Sequence, residues 1–329
     1  MFILLFFIPF ITFLHRQDVV VSGIVSQNIA KLSPDSEKPS VENALSKDVV
    51  TLYDASTGRK TIMPLREYLY GALISEMPAA YGEEALKAQA LCCKTAAARK
   101  ALDFQGSSQE DADGADIEIY SACNIGYVSP RCAAELWGDS LEEYEKKIQS
   151  AVDYAMDKLI VFGSEPIYPA WHAISSGCTE DAVTWWGADI PYLRSADSEW
   201  DMRADGFETT VALTREDIEE ALGEMYPDIC LNDDPEKWII VNSRSGAGNV
   251  VSLSVGGQRV SGGIFRALLN LRSCCFEISP NEGGVILTVK GYGHGVGMSQ
   301  YGAGCMAARG SSCEEIIRHY FNGAEIVSE

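Results

Sequence analysis

The chain has 329 residues, of which 47% are hydrophobic and 22% are charged. This composition is typical of a globular protein and excludes a wholly disordered or fibrous one. With 26 basic and 47 acidic residues, the formal net charge is -21. A surface of this sign repels phosphate backbones and anionic lipids, so no nucleic-acid partner is expected.

The first 14 residues carry no charge, and His15 and Arg16 follow them directly. A membrane span needs about 20 residues, whereas this stretch suits the hydrophobic region of an export signal. We predict that residues 1–16 are a signal or membrane anchor, that residues 17–47 are a flexible tether, and that the remainder lies outside the cytoplasm. The alternative is a buried N-terminal helix, because the stretch is apolar on every face.

Residues 48–325 are predicted to form one domain, with two lobes divided near residues 203–237 as the alternative. Periodicity and turn residues predict strands at 49–53, 61–63, 159–162, 238–242, 250–255 and 285–290, and helices at 64–76, 83–102, 140–157, 214–225, 264–271 and 312–321. The predicted loops are 105–116, 164–202 and 291–304. Because no βαβ repeat is present, the predicted class is α+β, with mixed helices and antiparallel strands around one extended catalytic cleft.

The ten cysteines are unusual, because in an exported protein so many would permit several disulfides. Two adjacent pairs occur, at 92–93 and 274–275, and adjacent cysteines rarely bridge each other because the geometry is strained. We interpret most of the cysteines as small buried apolar residues. The bridges that stay open include Cys123 to Cys132 and Cys305 to Cys313.

Glu76 is the first candidate for catalysis, since it closes the predicted helix at 64–76. A carboxylate at a helix C-terminus faces the negative end of the helix dipole, which disfavours its ionised form. Burial beside Met77 and Pro78 would raise its pKa further, which is what a general acid acting near neutral pH requires. A solvated glutamate at a helix end is the alternative interpretation.

The second predicted helix carries charged residues that are candidates for substrate binding. Glu84 and Lys87 lie three residues apart and can pair across one helix face, so a surface ion pair is the alternative to a substrate contact. Lys94 and Arg99 lie further along the same helix, from where a long side chain can extend into a cleft. The spacing alone does not separate these two roles.

His172 and Cys178 are close enough in sequence to bind one zinc ion across a Ser-Gly turn. Zinc favours imidazole and thiolate and takes four protein ligands, or three with a water. The other ligands would have to come from another cysteine or a distant residue, so an unliganded histidine and a structural cysteine are equally open. The aromatic stretch at 185–193 suits stacking on sugar faces, with a place in the core as the alternative.

Glycine is densest at 291–302, where four glycines surround His294. A dinucleotide-binding loop would have to follow the first strand of a βαβ unit, and that context is absent from the sequence. The glycines instead indicate a close approach of the backbone to a ligand or to the helix that carries Glu76.

Three blocks of this sequence resemble the stage II sporulation protein D and amidase-enhancer family. They occur in the order typical of the family and extend over about residues 48–325. The blocks are 68–79 with 84–90, 171–180 with 186–193, and 293–303, and they include the sequences Ser75-Glu76-Met77-Pro78, Ser175-Ser176-Gly177 and Gly293-His294-Gly295. Three motifs in this order are far more specific than any one of them.

The resemblance implies a lytic transglycosylase that cleaves peptidoglycan during spore engulfment, with Glu76 as its catalytic residue. Such proteins are anchored by one N-terminal segment and face the space between mother cell and forespore. They act beside a cell-wall amidase and membrane engulfment partners, on glycan strands stripped of peptides. Some bind zinc at the positions of His172 and Cys178, although no cofactor is expected to be required. The implied substrate-binding residues are Glu84, Lys87, Lys94, Ser175, Ser176, Tyr192, His294, Gln300 and Tyr301.

The sequence departs from the family pattern at two places. Where the family continues with Ala-Arg-Thr-Tyr, residues 91–96 are Leu-Cys-Cys-Lys-Thr-Ala, and lysine lacks the bidentate geometry of arginine. A second His-Cys pair, expected after the first, is replaced by Val183-Thr184. A non-catalytic peptidoglycan-binding enhancer of an amidase is therefore the alternative function. Glu76, within the Glu-Met-Pro sequence, favours the enzyme over this alternative.

Overall fold

The computed structural model describes residues 48–105, 115–119 and 126–328, and the predicted anchor, the tether and Cys123 lie outside these residues. The described chain divides into two compact units. Unit 1 contains the described residues up to 170 and those from 303 onward, and unit 2 contains residues 171–302. Residues 203–237 therefore lie inside unit 2.

The elements of unit 1 build two small sheets and a group of helices. The strands are β1 (Val49–Asp54), β2 (Arg59–Pro64), β3 (Ile117–Ile119), β4 (Lys158–Phe162), β5 (Glu165–Pro166) and β14 (Glu325–Ser328). The helices are α1 (Leu65–Glu76), α2 (Glu83–Gln105), α3 (Pro130–Trp137), α4 (Leu141–Ala155) and α9 (Cys313–Tyr320), together with α8 (Gln300–Ala308), whose first three residues belong to unit 2. The sheet orders are β2-β1-β3 and β14-β4-β5, and all of these neighbours are antiparallel except β1 and β3.

Helix α1 forms around an apolar face. Leu65, Leu69 and Leu73 recur every four residues and are at most 3% exposed. Pro64, predicted in the first turn, is the residue just before the helix. Because burying a leucine side chain contributes about 1.5–3 kcal/mol, this face fixes α1 against α2 and α4.

Helix α2 packs closely because its buried face is rich in small residues. Ala85, Ala88 and Ala90 are fully buried, together with Leu86 and Leu91. Alanine has the highest helix propensity and lets a neighbouring helix approach closely. Helix α2 accordingly packs against α1, α4 and α9.

Unit 2 contains two three-stranded antiparallel sheets. The strands are β6 (Trp171–His172), β7 (Glu208–Thr214), β8 (Ile239–Arg244), β9 (Val250–Val255), β10 (Gln258–Ser261), β11 (Cys275–Asn281), β12 (Gly284–Lys290) and β13 (Met298–Ser299), and the helices are α5 (Ala182–Trp186), α6 (Arg215–Gly223) and α7 (Gly262–Leu268). The sheets have the orders β10-β9-β8 and β11-β12-β7. The short strands β6 and β13 pair in parallel.

The core of unit 2 lies between its sheets and helices. Alternate residues of β9 and β12 point into it, including Leu253 and Leu287, which are fully buried. Ile218 of α6 and Phe265 of α7 complete the same cluster. Helix α6 begins with a capping box, in which Thr214 and Asp217 exchange side-chain and backbone hydrogen bonds.

Most predicted elements are confirmed. The predicted strands correspond to β1, β2, β4, β8, β9 and β12, and the predicted helices to α1, α2, α4, α6, α7 and α9. The class is α+β with antiparallel sheets, as predicted. The extended cleft and the N-terminal anchor stay predictions. Within the residues that the structure describes, no helix is both long and apolar enough to cross a membrane.

The prediction of a loop over 291–304 is wrong, because β13 and the start of α8 fall inside it. Gly302 and Gly304 disfavour a helix in isolation, which explains the error. Packing requires a small residue here, since a Cβ on Gly304 would lie 2.9 Å from the ring of Tyr81. The prediction of a loop over 164–202 is wrong in part, because β5, β6 and α5 fall inside it. The sequence pattern also leaves α3, β3, β7, β10, β11 and β14 unpredicted.

The nine described cysteines are all free thiols, and five of them are buried. The bridge from Cys305 to Cys313, left open by the sequence, is therefore absent from the structure. The buried thiols lie at positions 92, 93, 274, 275 and 313, where they fill space as small apolar groups.

Replacing Gly262 with alanine is expected to destabilise unit 2. A Cβ at Gly262 would lie 1.7 Å from the carbonyl oxygen of Val250, so the backbone of β9 would have to move. Such overpacking costs about 1–3 kcal/mol or more. The matched control is Gly263→Ala, whose Cβ would meet only the ring of Trp185 at 3.9 Å. Thermal unfolding of both variants tests this, and equal melting temperatures would contradict it.

Candidate active site

Glu76 is the last residue of α1, and its position follows from how that helix ends. The N–H of Met77 donates to the carbonyl oxygen of Leu73 at 3.0 Å, which closes the final turn. Met77 is extended because Pro78 follows it and disfavours helical backbone in the preceding residue. Glu76 is only 4% exposed. The sequence therefore places a buried carboxyl group at the negative end of a helix dipole.

Two buried side chains lie near enough to Glu76 to sense its charge. Burial, followed by the electrostatic influence of Cys93 and Glu76, raises the pKa of the Tyr68 hydroxyl well above its usual range. Burial and then the charge of Glu76 raise the pKa of the Cys93 thiol. The Nε2 amide of Gln89 donates to Cys93 Sγ at 3.7 Å. Both neighbours of Glu76 are therefore uncharged at neutral pH.

The loop that follows Glu76 is held by Lys147 of α4. Its Nζ donates to the carbonyl oxygens of Ala79 and Tyr81, each at 2.7 Å. Within the loop, the N–H of Tyr81 donates to the carbonyl oxygen of Pro78 at 3.0 Å. Hydrogen bonds from a charged donor are the stronger kind, so Lys147 fixes the backbone next to Glu76. The sequence did not predict a role for Lys147, because it lies far from Glu76 along the chain and in no shared motif.

Glu84 and Lys87 form an ion pair at 2.7 Å, and Glu84 also accepts the backbone N–H of Cys313 at 2.8 Å. The pair therefore ties the start of α9 to α2, in agreement with the structural alternative. Lys94 is 1% exposed, so its ammonium group is withdrawn from solvent. A direct substrate contact by Glu84, Lys87 or Lys94 stays a prediction.

The second and third sequence blocks are interleaved within unit 2. Met298 and Ser299 of β13 pair with Trp171 and His172 of β6. Ile174 and Tyr292 exchange two backbone hydrogen bonds, of 3.0 and 2.7 Å. Isolated β-bridges also join Glu180 to Val296 and Cys178 to Asp197. The glycine-rich block therefore approaches the backbone of the His172 block, and its glycines make that contact possible.

His172 and His294 lie side by side, with ring centroids 5.8 Å apart. Burial lowers the pKa of His172 to about 4 and that of His294 well below its usual value. His172 Nδ1 lies 3.2 Å from the carbonyl oxygen of Val296 and must donate to it, whereas His294 Nδ1 accepts the Val296 N–H at 3.0 Å. Both rings are therefore neutral at neutral pH, with their protons on different nitrogens. The ring of Trp186 lies 5.5 Å from that of His294.

The predicted residues Ser175 and Ser176 are positioned by the surrounding backbone. The N–H of Ser175 donates to Asp201 Oδ2 at 2.8 Å, and Ser176 Oγ donates to the carbonyl oxygen of Ala247 at 2.8 Å. Burial raises the pKa of Asp201, and hydrogen bonds from Ser175, Ser299 and Ser198 oppose that rise. Asp201 thus orders this loop, a role that its sequence neighbourhood does not indicate.

The remaining predicted residues are mostly inside the protein. Tyr192, Gln300 and His294 are each at most 8% exposed. The N–H of Tyr301 donates to the carbonyl oxygen of Ala173 at 3.0 Å. The core alternative for the aromatic stretch therefore holds for Tyr192, and substrate binding by these side chains stays a prediction.

Glu180 is a buried carboxylate to which the sequence alone assigns no role. It is 2% exposed, and its Oε1 accepts hydrogen bonds from Ser245 Oγ and from Asn249 Nδ2, the latter at 2.8 Å. The backbone N–H of Glu180 donates to the carbonyl oxygen of Gly295 at 2.7 Å. Glu180 therefore joins the His172 block both to the turn at 245–249 and to the glycine-rich block.

The described residues do not fit a zinc site. His172 Nε2 is buried and has no hydrogen-bond partner among them, which suits a metal ligand. Burial raises the pKa of Cys178, which favours the thiol over the thiolate that zinc binds. Within 48–105, 115–119 and 126–328, no group of three or more His, Cys, Asp and Glu side chains is placed to hold a metal ion. His172 and Cys178 alone are too few ligands for zinc.

Comparison with known proteins agrees with these features. A family model described as Stage II sporulation protein matches residues 53–162. Stage II sporulation protein D of Bacillus subtilis (strain 168) is 31% identical over 316 residues, covering 96% of this chain and 89% of that protein. The protein of the same name from Bacillus amyloliquefaciens is 33% identical, covering 84% of this chain and 78% of that one. An amidase enhancer of Bacillus subtilis (strain 168) is 23% identical, covering 79% of this chain and 40% of that protein.

The chain therefore belongs to the stage II sporulation protein D family, a family of sporulation proteins. The matched range 53–162 includes Glu76 and its buried neighbours. The alignments with the two Bacillus proteins of that name extend over most of the chain.

Replacing Lys147 with methionine is expected to loosen the loop after Glu76. The substitution removes two charge-assisted hydrogen bonds, and we expect a loss of about 1–3 kcal/mol in the free energy of unfolding. Hydrogen exchange at the amides of residues 77–81 should become faster. The matched control is Lys146→Met, because Lys146 is exposed on the same helix. Equal exchange rates in the two variants would contradict the role of Lys147.

Replacing Gly293 with alanine is expected to disrupt the packing of the glycine-rich block on His172. Gly293 has φ +117°, and a Cβ there would lie 2.6 Å from the Cβ of His172. The control is Gly283→Ala, where φ is +80° and no atom lies within 4 Å of the added Cβ. Both variants carry backbone strain, so a larger loss of thermal stability in Gly293→Ala measures the contact itself. Equal losses would show that the contact is unimportant.

Proposed function

We propose that this chain is a peptidoglycan lytic transglycosylase of spore formation, with Glu76 as its single general acid and base. The observation that carries the proposal is the burial of the Glu76 carboxyl group at the C-terminal end of α1. Both burial and the helix dipole favour its protonated form. The buried side chains of Tyr68 and Cys93 lie close enough to sense its charge. A general acid at neutral pH needs such surroundings.

The reaction follows from having one carboxyl group. Protonated Glu76 donates its proton to the bridging oxygen between MurNAc and GlcNAc, and the bond from that oxygen to C1 of MurNAc breaks. The C6 hydroxyl of the same MurNAc attacks C1, and the Glu76 carboxylate accepts the hydroxyl proton. The products are a 1,6-anhydro-MurNAc end and a free GlcNAc hydroxyl, and Glu76 is again protonated. No water is consumed.

A single glutamate is sufficient because the nucleophile belongs to the substrate. Glycosidases that use water or an enzyme nucleophile need two carboxyl groups on either side of the bond. In the proposed reaction the C6 hydroxyl is held on the same sugar as C1, so its effective concentration is high. Lys147 contributes by fixing the loop next to Glu76.

The proposed setting is the space between mother cell and forespore. Residues 1–16 would anchor or export the chain, and the charge of -21 would belong to a domain outside the cytoplasm. The substrate would be glycan strands whose peptides a cell-wall amidase has removed, and membrane engulfment proteins would be further partners. The residues predicted to bind the strand, from Ser175 and Ser176 to Gln300, lie in or beside the interleaved blocks of unit 2.

A second candidate function is a non-catalytic enhancer of a cell-wall amidase. One relative, 23% identical, carries the name amidase enhancer. The lysine at position 94 in the altered segment 91–96 is consistent with this alternative, because it lacks the fork geometry of arginine. The enhancer would bind glycan strands without cleaving them, so product formation separates the two functions.

Replacing Glu76 with glutamine is expected to abolish release of anhydro sugars from peptide-free peptidoglycan. The amide has nearly the same shape but transfers no proton, and general acid–base catalysis contributes at least about a hundredfold to rate. The measurement is mass spectrometry of soluble products formed by the full chain. The control is Glu67→Gln, because Glu67 is an exposed glutamate in the first turn of the same helix.

Release by the original chain and by Glu67→Gln, but not by Glu76→Gln, would support the enzyme. Release by Glu76→Gln at the original rate would show that another group is the acid. If the original chain binds the glycan, releases nothing and accelerates a cell-wall amidase, the enhancer function is correct.

A further inference from the structure

Arg272 lies at the edge of the interleaved blocks, just before β11. Its guanidinium carbon is 4.2 Å from the centroid of the Tyr292 ring, and its Nη1 donates to the carbonyl oxygen of Gly206 at 2.9 Å. Its own carbonyl oxygen accepts the N–H of Gly293 at 2.9 Å. Since Tyr292 pairs with Ile174, the Arg272 site adjoins the loop of Ser175 and Ser176. All of these residues belong to unit 2.

The charge of Arg272 is not neutralised by any carboxylate among the described residues. Arg272 takes part in none of the ion pairs among the described residues. Burial lowers the pKa of its guanidinium group, and the electrostatic influence of Tyr292 opposes that change. The Nε atom of Arg272 is buried and has no hydrogen-bond acceptor among the described residues. The buried hydroxyl of Tyr292 also has no hydrogen-bond partner among them.

This isolation is unexpected in so acidic a chain. The chain has 47 acidic and 26 basic residues, so a half-buried arginine would ordinarily be expected to pair with an aspartate or glutamate side chain. A guanidinium group partly withdrawn from water costs free energy unless an anion pairs with it. Stacking on the Tyr292 ring fixes the plane of the Arg272 guanidinium group. Its paired N–H donors are therefore oriented to bind a planar anion such as a carboxylate. A ligand that carries a planar anion would supply the missing partner.

We propose that Arg272 binds a carboxylate of the glycan strand, namely the lactyl carboxylate of MurNAc. This inference rests on the proposed function. When an amidase hydrolyses the bond between the lactyl group and the stem peptide, water adds, the peptide leaves with a free amine, and MurNAc keeps a carboxylate. Each peptide-free MurNAc then carries one planar anion, which matches one guanidinium fork. A strand that still carries its peptides has an uncharged amide at the same place.

The test compares three glycans in binding to the full chain with the Glu76→Gln substitution, so that no strand is cleaved. One is peptide-free with free lactyl carboxylates, one has those carboxylates converted to uncharged amides, and one keeps its peptides. We expect the first to bind at least about tenfold more tightly than the other two, as a lost charge-assisted hydrogen bond implies. The preference should shrink as salt is added.

Arg272→Met should remove the preference, Arg272→Lys should retain part of it, and Arg259→Met should leave it unchanged. Arg259 is an exposed arginine of unit 2 that hydrogen-bonds to Ser252 Oγ, so its substitution changes the net charge equally. Equal binding of the free and amidated strands overturns the proposal, and this comparison needs no substitution of Arg272. A preference that persists in a folded Arg272→Met variant also overturns it. Equal binding of strands with peptides would overturn the assignment to the lactyl group.

Failure of the proposed enzyme would look different. If the chain without the Glu76 substitution released no anhydro sugars, the transglycosylase would be excluded, while a preference for free carboxylates that depends on Arg272 would still stand.

Discussion

Helix α1 ends at a buried position, and the proposed chemistry of Glu76 depends on this constraint. The leucines at 65, 69 and 73 fix the helix in the core, and Pro78 prevents it from continuing. Glu76 is therefore withdrawn from water at the negative end of the helix, where the side chains of Tyr68 and Cys93 sense its charge. A carboxyl group in these conditions favours the protonated form, so the proposed chemistry follows from how the helix packs and stops.

Unit 2 uses different means to order its candidate residues. Its histidines are neutral, and backbone hydrogen bonds rather than ion pairs hold the two sequence blocks together. Buried carboxylates at Glu180 and Asp201 accept hydrogen bonds from neighbouring serines and amides. Such a network fixes geometry without mobile charge, whereas the charge of Arg272 has no carboxylate partner among the described residues.

The sequence predicted much of the fold and part of the site. Regular periodicity identified α1, α2 and α4, and Pro78 correctly located the end of the helix at Glu76. The first residues of the helix at Gln300–Ala308 were predicted as a loop, because glycine disfavours a helix and the close approach of Gly304 to Tyr81 forms only in the folded chain. Lys147, Asp201 and Arg272 act through contacts with residues distant in sequence, so no local spacing could reveal them. Within the described part of the chain, His172 and Cys178 lack the further ligands that zinc requires, and such ligands depend on three-dimensional neighbours.

The most direct test of the central claim is to cleave peptide-free glycan strands in water enriched in oxygen-18 and to analyse every new chain end by mass spectrometry. Because the C6 hydroxyl of MurNAc is the proposed nucleophile, all new ends should be 1,6-anhydro sugars without the heavy isotope. New reducing ends that carry oxygen-18 would show that water is the nucleophile and would contradict a single-glutamate transglycosylase.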